Sequence, residues 1–281
     1  MPTTALVTGG TSGIGKAIAK GLARSGVKVV LLVRSKERGA AAAADIHAAV
    51  PGASVDLVQG DLASLRSVRR AAAEVAKRHK GLDLLVQSAG VFLPDRTVTE
   101  DGIEATFAAN HLGHFLLTNL LLPTLKANAP ARIVTVASRY GRTAIDFDDL
   151  NFEKRKFSYL KAVPPSKLAQ VLFTQELADR LAGTGVVANA IHPGLVSKTH
   201  LLKGTGGFLR WVTDTVGKTP EVGADTALWL ATATEAANET GGLWAKRKRL
   251  KTPGQGSDPA ARRRLWEESE RLAGIERVVT A

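Results

Sequence analysis

Short apolar runs alternate with longer amphipathic stretches along most of the chain. Residues 5–8, 28–33, 55–59, 82–87, 132–137 and 186–191 are strand-length and almost continuously hydrophobic. That is the pattern of strands covered on both faces of a parallel sheet. Between them, residues 13–25, 36–49, 65–80, 102–127 and 166–182 have helical length. Strand followed by helix, repeated five or six times, predicts an α/β fold: a doubly wound, Rossmann-type parallel sheet in three layers. No internal repeat or Pro/Ser-rich linker divides the chain, so residues 1–281 read as a single domain.

Two stretches break this rhythm. Residues 139–163 and 195–219 carry no clear regular element, and both leave from the carboxyl ends of predicted strands. Ligands of such sheets sit beyond those ends, so the two connections are the expected walls of a substrate pocket.

The first strand runs into Thr8-Gly9-Gly10-Thr11-Ser12-Gly13-Ile14-Gly15 and then a helix. Glycines let the backbone approach a pyrophosphate closely, and a helix N-terminus offers free N–H groups with partial positive charge. Gly9, Thr11, Ser12, Gly13, Ile14 and Gly15 are therefore candidate dinucleotide-binding residues. At the end of the second strand an NAD site would place an acid for the ribose 2′-hydroxyl. This chain has Val33-Arg34-Ser35-Lys36. Arg34 suits a 2′-phosphate, which favours NADP(H). Asp61, with Leu62 after the third strand, is placed to reach the adenine.

Composition narrows the classes. With no cysteine there is no disulfide framework, thiolate metal site or cysteine nucleophile, and no metal is expected. Lys and Arg total 38 against 26 acids, a formal charge of +12. That excess admits nucleic acid, a membrane surface or a phosphorylated cofactor as anionic partner. Aromatics are only 5%, and none interleave with the basic runs 246–251 and 262–264. Those runs read as a solvated C-terminal loop and helix face, not a nucleic-acid site. The longest apolar runs fall short of the ~20 residues of a spanning helix. The N-terminus shows no basic leader with a cleavage site. A cytoplasmic protein without membrane attachment is expected.

Several motifs in order give the chain a family resemblance. Thr8-Gly9 with Gly13-Ile14-Gly15, Asn110-His111-Leu112-Gly113, Val136-Ala137-Ser138, Ser166-Lys167-Leu168-Ala169, His192-Pro193-Gly194 and Leu265-Trp266-Glu267-Glu268-Ser269 resemble short-chain dehydrogenase/reductases over nearly the whole length. Within that family the match is to the retinol-dehydrogenase-like, NADPH-dependent carbonyl reductase branch. The resemblance implies hydride transfer between nicotinamide and a carbonyl or alcohol carbon. It assigns Ser138 to the substrate oxygen, Lys167 to the ribose and proton chemistry, and Asn110 to a water of the proton relay. Ser88, Ala89, Gly90, Pro193, Gly194 and Val196 would line the rest of the cofactor. A homodimer or homotetramer through the two long helices is the family expectation.

The chain departs from the pattern at the acid. Four residues before Lys167, where the family has tyrosine, stands Val163, followed by Pro164 and Pro165. Proline fits only the first turn of a helix. The helix is thus expected to begin near Ser166, with Val163 outside it. The strand-four motif reads Gln87-Ser88-Ala89-Gly90, and the threonine expected after Pro193-Gly194 is displaced from Lys198 to Thr199.

Candidate replacements are Tyr159, Tyr140 and His192, with a structural role the simpler reading of each. Lys167 acting through water, or a phenol peri to the substrate ketone, needs no replacement. The expected function is an atypical NADP(H)-dependent ketoreductase, acting on a small-molecule carbonyl or alcohol such as an aromatic or polyketide-like ketone. A cyclase or dehydratase, or an NADP(H)-binding pseudoenzyme, is the alternative on the same fold.

Overall fold

A computed structural model describes residues 3–139, 143–197, 217–252 and 254–275. One eight-stranded sheet organises them, in the order β3-β2-β1-β4-β5-β6-β7-β8. The strands are β1 (Thr4–Thr8), β2 (Lys28–Val33), β3 (Val55–Gln59), β4 (Leu82–Gln87), β5 (Ala131–Val136), β6 (Val186–Ile191), β7 (Leu243–Ala245) and β8 (Lys248–Leu250). All neighbours are parallel except β7 and β8. β1 pairs with both β2 and β4, so the order reverses there and opens a crevice above its carboxyl end.

The alternation of side chains along each strand builds two cores. Leu6, Val30, Leu85 and Ile133 face α3 (Leu65–Arg78), α5 (Gly113–Ala127) and α6 (Tyr159–Arg180). Ala5, Val7, Leu31 and Val86 face α1 (Gly13–Arg24), α2 (Lys36–Ala49) and α7 (Pro220–Thr232). α8 (Pro259–Ala273) adds Leu265 and Trp266 to the first of these cores. A Cβ on Gly21 would lie 2.5 Å from the Leu228 side chain, so that leucine of α7 packs into the space the glycine leaves on α1.

The proline pair does not start the helix. α6 begins at Tyr159, seven residues before the expected start, and Val163 lies inside it. Pro164 and Pro165 remove the N–H partners of the Leu160 and Lys161 carbonyls. Both of those residues are exposed. Ser166 Oγ donates to the Val163 carbonyl at 2.7 Å, supporting the turn that the prolines weaken.

The 102–127 stretch is likewise not one helix. A short α4 (Ala105–Phe107) passes through a π-helical turn at Ala108–Leu112 into α5. That turn carries Asn110, and such bulges recur at functional sites. Residues 246–251 are no loop but the tip and outer strand of the β7–β8 hairpin. Lys246 and Arg247 occupy its turn at φ 50° and 58°. Short, charged outer strands discourage edge pairing. Several basic side chains of the C-terminal region pair within the chain: Arg247 with Asp225, Arg262 with Asp179 and Arg264 with Asp148.

The described part of the 139–163 connection is pinned. Asp149 accepts backbone N–H groups of Glu153, Lys154 and Arg155 and the Arg155 guanidinium. These bonds hold its carboxyl at about 2, against the cost of burial. Most of 195–219, with Lys198 and Thr199, lies outside the described residues, as does Tyr140. No helix among the described residues is long and apolar enough to cross a membrane.

Candidate active site

The β1–α1 loop rests directly on the end of β4. Gly9 has φ +69°, and a Cβ there would come within 2.7 Å of the Ala89 backbone. A Cβ on Gly15 would meet the Gly9 carbonyl at 2.3 Å. Only glycine permits this fold-back. Thr8 Oγ1 accepts the Ser88 and Ala89 N–H groups at 3.0 and 3.1 Å, tying the Ser88-Ala89-Gly90 segment to the loop. The same hydroxyl lies 2.9 Å from His114 Nε2. His114 Nδ1 faces the Asn110 carbonyl at 3.0 Å, so the proton sits on Nδ1 and Nε2 accepts from Thr8. Burial holds His114 neutral, with its pKa lowered to about 4.

This loop fits a pyrophosphate. Ser12 is the N-cap residue of α1 but makes no side-chain cap bond. The first-turn N–H groups beside Thr11, Gly13 and Ile14 are thus left for an anion. Ile14 turns its side chain to the core beside Gly223. Arg34 is exposed at the end of β2, and no ion pair or hydrogen bond engages its guanidinium among the described residues. It precedes Ser35, the N-cap of α2, whose hydroxyl is also bonded to Glu37 at 2.7 Å. Asp61 accepts the Ala63 N–H through Oδ1. The Leu62 carbonyl closes on Gly113, where a Cβ would sit 2.2 Å away.

Across the crevice, Lys167 projects from α6 toward β5. It is 7% exposed. Its Nζ donates to the Val136 carbonyl at 3.1 Å and to Gln170 Oε1 at 2.9 Å. Burial lowers its pKa from 10.5 to about 8. Ser138, two residues beyond β5, has Oγ 3.3 Å from His192 Nδ1 at the end of β6. The His192 N–H is bonded to the Trp244 carbonyl at 2.7 Å, which fixes the start of Pro193-Gly194. Gly194 has φ +79°. Val196 beyond it is buried and bridges to Lys218.

A model of the family described as short chain dehydrogenase matches residues 3–150. Human retinol dehydrogenase 13 is 43% identical, over 97% of this chain and 85% of that protein. The chain belongs to the short-chain dehydrogenase family. The backbone of this dehydrogenase superposes on an uncharacterised protein from Mycobacterium paratuberculosis with TM-score 0.79 and 33% identity, covering 98% and 94% of the two chains. It superposes on Pseudomonas aeruginosa RhlG, solved as an NADP active-site complex, with TM-score 0.69 and 28% identity, covering 86% and 93%. Its similarity to retinol dehydrogenases makes it an NAD(P)-dependent oxidoreductase of that branch.

Within this short-chain dehydrogenase, Val163 stands one turn before Lys167 on α6 and is 1% exposed. Tyr159 shares that helix but precedes Lys167 by eight residues, about 12 Å of helical rise. Its ring packs 6.3 Å from Phe92, so the structure does not bring it to the lysine.

The Asn110 side chain has both amide hydrogens and one Oδ1 lone pair engaged by the protein. Its Oδ1 accepts the Val91 N–H at 2.7 Å, and its Nδ2 donates to the Val91 carbonyl and to Ser166 Oγ. It clamps the segment after β4 to α6. Asn110→Ala is expected to lower stability by about 1–3 kcal/mol, because buried partners lose their bonds; thermal denaturation measures this.

The site also holds one residue outside the sequence motifs, Gln170, and one, Gln87, whose bonds the motif did not give. Gln170 anchors Lys167 from three residues along the same helix, a spacing that helical periodicity could have flagged. Gln87 joins Thr135 and Thr118, bonds that only the assembled sheet reveals.

Proposed function

We propose that this dehydrogenase is an NADP(H)-dependent ketoreductase that works without a tyrosine acid, on an aromatic or polyketide-like ketone or the matching alcohol. The observation that carries it is the pairing of Lys167, at the floor of the crevice, with Val163 one turn ahead of it. The machinery for a carbonyl substrate remains, and the hydroxyl of the usual acid is gone. Arg34, with no partner among the described residues, supports the 2′-phosphate.

In this reading Thr11, Ser12, Gly13 and Ile14 cradle the pyrophosphate, while Gly9 and Gly15 shape the turn. Asp61 and Leu62 flank the adenine, and Ser88, Ala89 and Gly90 flank the ribose. Pro193, Gly194 and Val196 close over the nicotinamide. When bound, the nicotinamide supplies or accepts the hydride. Lys167 keeps a third N–H for the ribose hydroxyls. Below about pH 8 its ammonium form steadies negative charge growing on the substrate oxygen. Ser138 donates a hydrogen bond to that oxygen. A phenol peri to the ketone would place a second donor on the same atom, as in 8-hydroxy-1-tetralone but not 1-tetralone.

The test compares these two ketones with 4-deuterated NADPH. The hydroxylated ketone is expected to react about 10²-fold faster, at the low end of general-acid effects. Binding of NADPH without deuterium transfer to either ketone would refute the reading. Arg34→Glu is expected to weaken NADPH binding by about 10- to 100-fold while sparing NADH, since a charge-assisted contact is worth ~1.5–3 kcal/mol. Fluorescence titration with both nucleotides measures it.

A further inference from the structure

We propose that Ser138 and His192 form the proton relay of this site, with Ser138 touching the substrate oxygen and His192 acting through Ser138 as the base for alcohol oxidation. The inference rests on the ketoreductase reading and names the group that replaces the tyrosine.

The geometry assigns the tautomer. The Arg139 N–H points at His192 Nδ1, 3.3 Å away, and an amide nitrogen can only donate. His192 Nδ1 therefore carries a lone pair, and the ring proton sits on Nε2. Ser138 Oγ lies 3.3 Å from that same nitrogen, so its hydroxyl donates to the one Nδ1 lone pair in a bond shared with the Arg139 N–H. The hydroxyl lone pairs then face outward to a substrate. A hydroxyl with its proton directed at a neutral imidazole is poised to accept one proton as it passes on another.

Position supports the role. Ser138 and His192 follow the ends of the adjacent parallel strands β5 and β6, at the carboxyl edge where the glycine loop and Lys167 converge. His192 is half-buried and its backbone is tethered to Trp244, so the ring is held in place. Lys167 Nζ bonds Val136 and Gln170, and Asn110 bonds Val91 and Ser166, so neither has a described bond to Ser138. The charged groups acting on the imidazole are Arg139 and Lys218, both cations, and burial adds to them. All three push its pKa below 6.5, so the base form prevails at neutral pH.

The step balances as follows. The alcohol O–H gives its proton to Ser138 Oγ as the Ser138 hydroxyl proton moves to His192 Nδ1, and the Arg139 N–H gives up its bond to that nitrogen. The carbinol carbon loses its hydrogen with two electrons to the oxidised nicotinamide dinucleotide, the oxidant required, and the C–O bond becomes C=O. The imidazolium then returns its proton to solvent. In the reverse direction the imidazolium recharges Ser138, so reduction gains as pH falls through the His192 pKa.

The decisive variant is His192→Asn. An asparagine carboxamide oxygen can occupy the Nδ1 position and accept from both Arg139 and Ser138, but it cannot carry the proton. With 1-tetralol and NADP⁺, the wild type is expected to show an acid limb below pH 6.5. His192→Asn is expected to retain its melting temperature and NADPH affinity, lose about 10²–10⁴-fold in kcat, and lose that limb.

A second readout needs no turnover. Nitrogen-15 NMR of the histidine rings should show the Nε2–H tautomer for His192, with a titration that moves in Ser138→Ala. Wild-type kcat in His192→Asn, or an acid limb below pH 6.5 that persists in it, would overturn the relay. An Nδ1–H tautomer would overturn it as well. Loss of the ketoreductase reading is separately visible, as NADPH binding without deuterium transfer in the unaltered protein, and would remove the relay with it.

Discussion

Val163→Tyr is expected to raise kcat/KM for 1-tetralone, a ketone without an acid of its own, by about 10²–10⁴-fold. The magnitude is that of one positioned general acid. The direction follows from the helix: α6 runs unbroken from Tyr159 through Arg180, so a tyrosine at 163 would lie one turn from Lys167 on the same face. The Lys167 charge would lower its pKa toward neutrality. The gain should be much smaller for 8-hydroxy-1-tetralone, which brings its own donor. It should also lessen the effect of His192→Asn, because two routes would then exist. The substitution carries a structural cost. Val163 is buried, and a ring there is expected to destabilise the fold by about 1–3 kcal/mol, read as a lower melting temperature. A stable Val163→Tyr protein with unchanged turnover of 1-tetralone would show that the missing hydroxyl is not what limits the site.

Lys167→Met is expected to reduce turnover of both tetralones by about 10²–10³-fold, the effect of removing one preorganised positive group beside a developing oxyanion. Methionine keeps the bulk but leaves the Val136 carbonyl and Gln170 Oε1 without their donor. The pH behaviour distinguishes charge from shape. With a pKa of about 8, the ammonium form is lost as pH rises through that value, so wild-type reduction should fall on the alkaline side near pH 8. Lys167→Met should lack that limb. The same shift affects stability. Between about pH 8 and the unfolded value of 10.5 the unfolded chain binds more protons than the folded one, so wild-type stability rises with pH across that window. Chemical denaturation at several pH values should show this slope in the wild type and not in Lys167→Met.

The limbs assigned to Lys167 and His192 are separable because burial and charge act differently on them. Lys167 is lowered by burial alone and still titrates near 8. His192 starts at 6.5 and is pushed lower by burial, Arg139 and Lys218. A reduction profile with one titration only, removed by His192→Asn and by Lys167→Met alike, would contradict the division of roles between them.

Much of the architecture follows from local pattern. Six apolar runs became strands β1 to β6 within one residue of their expected bounds, because the inner strands, buried on both faces, need near-continuous hydrophobicity. The glycine loop was equally legible. Gly9 and Gly15 are required by close backbone approach, and no other residue fits there. The resemblance through Asn110, Ser138, Lys167 and His192-Pro193-Gly194 named the family that the comparisons then established. The hairpin at 246–251 was missed because its two three-residue strands carry almost no periodic signal, and β8 is mostly charged.

The sequence by itself thus determined the layered sheet, the dinucleotide loop, the basic end of β2 and the absence of a tyrosine before Lys167. Each depends on residue type at short range. The tertiary structure decided what that absence means. Helix propensity put Val163 outside α6, yet packing of the helix against the sheet kept it inside, with the prolines falling one turn after the exposed residues Leu160 and Lys161. Asn110 is held by Val91 and by Ser166, 56 positions away, and Ser138 meets His192 across 54 positions. Hydrogen bonds between residues so far apart depend on strand order and register, which no local pattern encodes. The chemistry available to this site is set by those bonds.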